Sequence, residues 1–118
     1  MSADQIAEIS PIVQEVFEAS SDEMCATFEI AENPDAWAQV MKGTINAAYP
    51  LDTSPEGHLL EILAFLPGSA VTAWEPKKFV TLTFESTNPT DVAKAVDRLF
   101  EKLFDVGDYS VDCRIEDL

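Results

Sequence analysis

The sequence predicts an α+β protein. Three observations carry this: strand-like alternation over residues 24–32, a β-branched and aromatic run over residues 79–85, and apolar stripes of helical period over residues 2–19 and 91–104.

The elements follow in chain order. Residues 2–19 read as a helix, with Ile6, Ile9, Val13, Val16 and Phe17 on one side and Gln5, Glu8, Glu15 and Glu18 opposite. Pro11 interrupts this pattern, and Ser10-Pro11 is itself a helix-start signal, so the helix could begin only there. In residues 24–32, Met24, Ala26, Phe28 and Ile30 point one way and Cys25, Thr27 and Glu29 the other, as in a half-buried strand. Asn33-Pro34-Asp35 resembles a capped helix start, and Trp37, Val40, Met41, Ile45 and Ala48 supply a helical stripe reaching residue 48. Residues 52–66 fit either a helix opened by Ser54-Pro55-Glu56 or a buried strand. The helix propensity of LLEILAFL favours the helix.

Residues 71–74 and 79–85 form a hairpin through Glu75-Pro76-Lys77-Lys78, with Val80, Leu82 and Phe84 facing the core. Thr90 caps a helix over residues 91–104 that buries Val92, Val96, Leu99, Phe100 and Leu103 and closes at Gly107. Residues 108–116 are a last strand with Tyr109, Val111, Cys113 and Ile115 inward. After the first helix this order suits a split β-α-β plait, the ferredoxin-like arrangement, with an extra N-terminal helix. It resembles that widely used fold in element order only, and the fold itself carries no function. The expected sheet has four antiparallel strands in the order 4-1-3-2, with two helices on one face. The other face is then bare unless the N-terminal helix or a second subunit covers it. The 118 residues fit one domain, 1–118.

Composition excludes more than it assigns. Apolar residues make up 47%, enough for a folded core and too many for a disordered chain. Against 22 Asp and Glu stand 7 Lys and Arg, a formal charge of −15 that opposes direct binding to nucleic acid or to an anionic membrane and favours a basic partner. The N-terminus lacks the basic start and apolar run of a signal peptide, and the longest uncharged stretch, residues 62–74, contains Pro67 and Gly68. A cytoplasmic location is expected.

No catalytic or cofactor motif is visible. His58 is the only histidine, and no Ser or Cys stands at a recognisable spacing from it. Cys25 and Cys113 come to neighbouring strands but on opposite faces, so two free thiols are expected, with Cys113 an inert core residue. The glycines are isolated, so there is no phosphate loop. Residues 105–112 offer oxygen ligands without the pattern of a calcium loop. No metal or cofactor is expected.

What remains is charge. If the first and last strands are neighbours, Glu29, Glu32, Asp105, Asp108, Asp112 and Glu116 form one negative surface. Trp74, beside a hairpin tip, is the best candidate for an exposed aromatic anchor. These residues point to a non-enzymatic acidic interaction module, of the inhibitor, immunity, chaperone or nucleic-acid-mimic kind, that binds a basic protein. The alternative is a homodimeric domain that binds a small molecule or regulates.

Overall fold

The computed structural model describes residues 3–106 and 109–117. The elements are α1 (Ala3–Glu18), β1 (Met24–Ile30), β2 (Asn33–Met41), β3 (Thr44–Ala48), α2 (Pro55–His58), α3 (Leu60–Phe65), β4 (Ala70–Glu75), β5 (Phe79–Thr83), α4 (Pro89–Phe104) and β6 (Val111–Asp117). The fold is α+β. Its sheet has six strands in the order β4-β5-β3-β2-β1-β6, and every neighbouring pair is antiparallel.

The four-stranded plait is therefore corrected. Residues expected to form a helix after Asn33 make the β2–β3 hairpin instead. Ala36, Ala38 and Val40 alternate inward along β2, and Ile45 and Ala47 do so along β3. Asn33 caps nothing helical. Its Oδ1 accepts the Asp35 amide at 3.2 Å, a local turn that launches a strand just as well. Lys42-Gly43 closes the hairpin, and Gly43 sits at φ +77°, where a glycine carries no steric cost. The hairpin fills the middle of the expected order: β6 and β1 remain neighbours at one end, and β5 and β4 at the other.

Residues 55–65 are helical, as two short pieces broken at Leu59. The helix at residue 89 is capped by Asn88 rather than Thr90. Asn88 Oδ1 accepts the amides of Thr90 at 2.9 Å and Asp91 at 3.4 Å, and Pro89 takes the first helical position. At the other end Asp105, at φ +52°, makes the left-handed closure expected of Gly107, which lies outside the described residues.

Alpha1 runs unbroken through Pro11, which is exposed. Its buried residues Ile9, Val13 and Val16 share one core with Val92, Val96 and Phe100 of α4 and with Phe28, Val40, Ile45 and Leu82 of the sheet. The pairing is antiparallel: Ser10 lies beside Thr90, and Gln5 reaches Tyr109 beyond the end of α4. Alpha1 carries no basic residue in its last turn. Lys42, from the β2–β3 turn, supplies one from outside by donating to the Ala19 carbonyl at 2.6 Å. Leu59, Ile62 and Leu66 complete the same core. The opposite sheet face carries Gln39, Asn46 and Thr81 in one row and Trp37, Ala48 and Phe79 in the next, with no helix over them. No helix among the described residues is long and apolar enough to cross a membrane.

Proline in a helix interior removes an amide donor and crowds the preceding turn, at a cost of up to about 3 kcal/mol relative to alanine. Pro11→Ala should therefore stabilise the fold by about 1–3 kcal/mol, read as a higher urea midpoint with unchanged slope.

Candidate functional site: the acidic β1–β6 edge

The register of β1 with β6 assembles this surface. Glu29 lies opposite Asp112, Thr27 opposite Arg114, and Cys25 opposite Glu116. Directly opposed residues in an antiparallel pair share a face, so all six stand on the side that no helix covers. The odd-even alternation of the two strands produces this: Ala26, Phe28 and Ile30 take the helix side, opposite Ile115, Cys113 and Val111.

Arg114 sits at the centre. Its Nη1 donates to Glu29 Oε1 at 3.0 Å and its Nε to Glu116 Oε1 at 3.0 Å. These hydrogen bonds, Glu116 before Glu29, hold the guanidinium even more firmly charged than usual. The trio keeps one net negative charge and leaves Asp112 outside it. Arg114 was no part of the expected cluster, although its spacing of two residues from both Asp112 and Glu116 marks it as sharing their face.

Glu32 is exposed in the two-residue turn between β1 and β2. The Ala31 amide donates to the Ser110 carbonyl at 2.8 Å and ties this turn to the segment entering β6. A cleft of about 600 Å³ lies here, lined by Gln5, Ile30, Glu32, Asn33, Val106, Tyr109 and Ser110. Asp105 is exposed at the end of α4, next to Val106 of that lining. The structure thus gathers Glu32, Asp105, Asp112 and Glu29 at one end of the edge, with Glu116 further along β6 and opposite Cys25. Asp108 lies outside the described residues.

Trp74 does not belong to this surface. It is on β4, the opposite edge of the sheet, about 24 Å away across five strand spacings. There it stands 38% exposed and meets Tyr49 edge to face, with ring centroids 6.0 Å apart.

The expected facing of the cysteines holds, but their burial is reversed. Both are free. Cys113 faces the helix side, yet it is exposed because β6 is an edge strand. Cys25 faces the helix-free side and is buried among its neighbours. Burial raises the pKa of both thiols, and for Cys113 the carboxylates of Glu8 and Asp112 add to it. Neither is a thiolate nucleophile at neutral pH.

Beneath the cleft is a polar network that the sequence pattern did not reveal. Asp97 is fully buried on α4, among residues otherwise apolar. Its Oδ1 accepts the Tyr109 hydroxyl at 2.7 Å, and the Tyr109 carbonyl accepts the side-chain amide of Gln5. The Tyr109 ring packs edge to face on Phe100, with centroids 5.4 Å apart. Burial, and after it the neighbouring Glu101 carboxyl, raise the pKa of Asp97 above its ordinary value, against the pull of the Tyr109 hydrogen bond. Burial and the Asp97 carboxyl likewise push the Tyr109 phenol well above its ordinary value. Asp97 lies one turn from both Ala93 and Phe100, so its position on the apolar stripe was the available signal.

The network anchors the segment that carries the acidic end. It is sealed from solvent at Asp97 and presents no nucleophile–base pair. His58 is elsewhere, in α2, with its Nε2 3.0 Å from the Thr53 hydroxyl. Among the described residues no group of three His, Cys, Asp or Glu side chains is placed to hold a metal ion. Comparison with protein-family models, with curated proteins and with solved structures gives no significant match, so the reading of this surface rests on its own geometry and charge.

Proposed function

We propose that the protein is a non-enzymatic interaction module that binds a basic protein through the acidic β1–β6 edge. The observation that carries this is the gathering of four carboxylates at one end of the β1–β6 edge, Glu29 and Asp112 on the helix-free face, Glu32 in the β1–β2 turn and Asp105 at the end of α4, with Arg114 as the one cation interleaved on β1 and β6. A partner presenting several Lys or Arg side chains is attracted over long range by the −15 net charge and oriented at short range by these carboxylates. Inhibitors, immunity proteins, secretion chaperones and nucleic-acid mimics are all modules of this kind.

The test separates the surface from the overall charge. The native partner, recovered on immobilised protein and eluted by salt, is titrated against two double variants of equal charge. Glu32→Lys with Asp112→Lys should weaken binding by at least about a hundredfold, because like charges are placed at the contact. Glu15→Lys with Glu18→Lys, on α1, should lower only the association rate, and by less than about tenfold. Equal losses from the two pairs, or an affinity indifferent to salt, would refute the assignment.

A further inference from the structure

We propose that β4 is the seam of a homodimer in which two copies of the strand pair antiparallel about a two-fold axis, Trp74 opposite Val71 of the second copy, to give one continuous sheet.

The two edges of the sheet are built differently. Beta6 is VDCRIED, four of its seven residues charged, a composition that blocks strand addition. Beta4 is AVTAWE, uncharged up to its last residue and without proline or lysine, and all of it is exposed except Val71, which is half-buried. In a chain of net charge −15 this edge has no charge before Glu75 and no proline along its length, and its one irregularity, between Val71 and Ala73, fits the pairing of two copies. Among the described residues Trp74 is one of three exposed large apolar side chains, and it lies on this strand.

The second copy is the occupant because the strand is complementary to itself. Val71 pairs with Leu82 and Trp74 with Val80, both buried on the helix side, whereas Ala70 pairs with Thr83 and Glu75 with Phe79 on the other face. An irregularity between Val71 and Ala73 places Val71 and Trp74, three residues apart, on one face. A two-fold axis between Thr72 and Ala73 then sets Trp74 against Val71 of the second copy and Glu75 against its Ala70, each pair sharing a face. A regular strand in that register would oppose inward residues to outward ones.

Charge agrees with the same register. Beyond the paired residues the chain turns at both ends of β4, at Gly68 (φ +67°) and at Lys77 (φ +59°), and the two-fold brings the Lys77 turn of one copy beside the Gly68 turn of the second. Gly68 is covered by the Glu85 side chain, close enough that a Cβ there would lie 2.5 Å from its carboxylate oxygen. Lys77 and Glu85 are both exposed, and neither has an ion-pair partner among the described residues. The two-fold makes this contact twice.

Sedimentation equilibrium on the full chain tests the arrangement, with urea unfolding to confirm that each variant is folded. The wild type should sediment at about 26 kDa, twice the 13.0 kDa chain. Lys77→Glu and Glu85→Lys, each alone, should weaken the dimer by at least about tenfold, and the two together should restore it. Thr72→Lys, at the centre of the seam, should give a folded monomer without touching Glu85. A wild type that stays at 13.0 kDa at high micromolar concentration would overturn the proposal. So would a dimer indifferent to Thr72→Lys, or one that the double charge swap fails to rescue.

Discussion

Phe28→Ala should destabilise the protein by about 3–5 kcal/mol, the range for losing a fully buried aromatic ring. Phe28 has no exposed surface and occupies the middle of β1, between Ala38 of β2 and Cys113 of β6. The cost should fall at the upper end because the neighbourhood cannot close over the gap. Ala26, Ala36, Ala38 and Ala47 line the same inner face, and all are too short to move into the space. Small residues let α1 and α4 approach the sheet, and Phe28 fills what they leave. Equilibrium urea unfolding at fixed pH measures the loss. Gln39→Ala, on the helix-free face, is the control and should change stability by no more than about 0.5 kcal/mol. A loss below about 2 kcal/mol for Phe28→Ala would mean that the helices settle onto the sheet after truncation.

The same alanines explain which parts of the fold were legible in the sequence. Strands β1, β5 and β6 alternate large apolar residues with polar ones, so their period shows. Along β2 the inward residues are Ala36, Ala38 and Val40, and alanine carries little hydrophobic signal and strong helix propensity. The larger residues Trp37, Val40, Met41 and Ile45 then trace a helical spacing across what is really a turn at Lys42-Gly43. Asn33-Pro34 compounds the error, because an Asx turn before a strand and a helix cap use the same residues. Misreading one hairpin changed the strand count and the topology but left the ends of the sheet in place. In a plait and in the observed sheet alike, the first and last strands are antiparallel neighbours. The acidic edge was therefore legible despite the wrong interior. Trp74 is exposed as expected, and the expected order 4-1-3-2 already sets its strand on the edge opposite the last one. Asp97 is not legible in the sequence, because a single acidic residue on a helical stripe ordinarily lies at the boundary of the buried face, and only the fold shows that Tyr109 returns over it.

Asp97 yields the second large effect, and it is one that depends on pH. The folded protein raises the pKa of this carboxyl by burying it and setting it beside Glu101. The native state therefore binds the Asp97 proton more tightly than the unfolded chain, whose aspartates titrate near about 3.9. Its contribution is complete below that value and is lost as pH rises through the higher folded pKa. Asn is isosteric and never ionises, and its Oδ1 can accept the Tyr109 hydroxyl while its amide donates towards Glu101. Asp97→Asn should match the wild type near pH 4 and become more stable than it as pH rises through the folded pKa of Asp97, with no further gain above it. Asp97→Ala should instead lose stability at every pH, by about 1–3 kcal/mol, because it strips the Tyr109 hydroxyl of its acceptor in a dry site. The consequence reaches the surface, since Tyr109 also holds Gln5 and immediately precedes Ser110, whose carbonyl ties down the Glu32 turn. Unfolding curves collected from pH 4 to pH 8 decide the matter. A gap between Asp97→Asn and wild type that stays constant over that range would show that Asp97 keeps its charge in the fold. A gap that opens with rising pH would show that the fold takes up the Asp97 proton more tightly than the unfolded chain does.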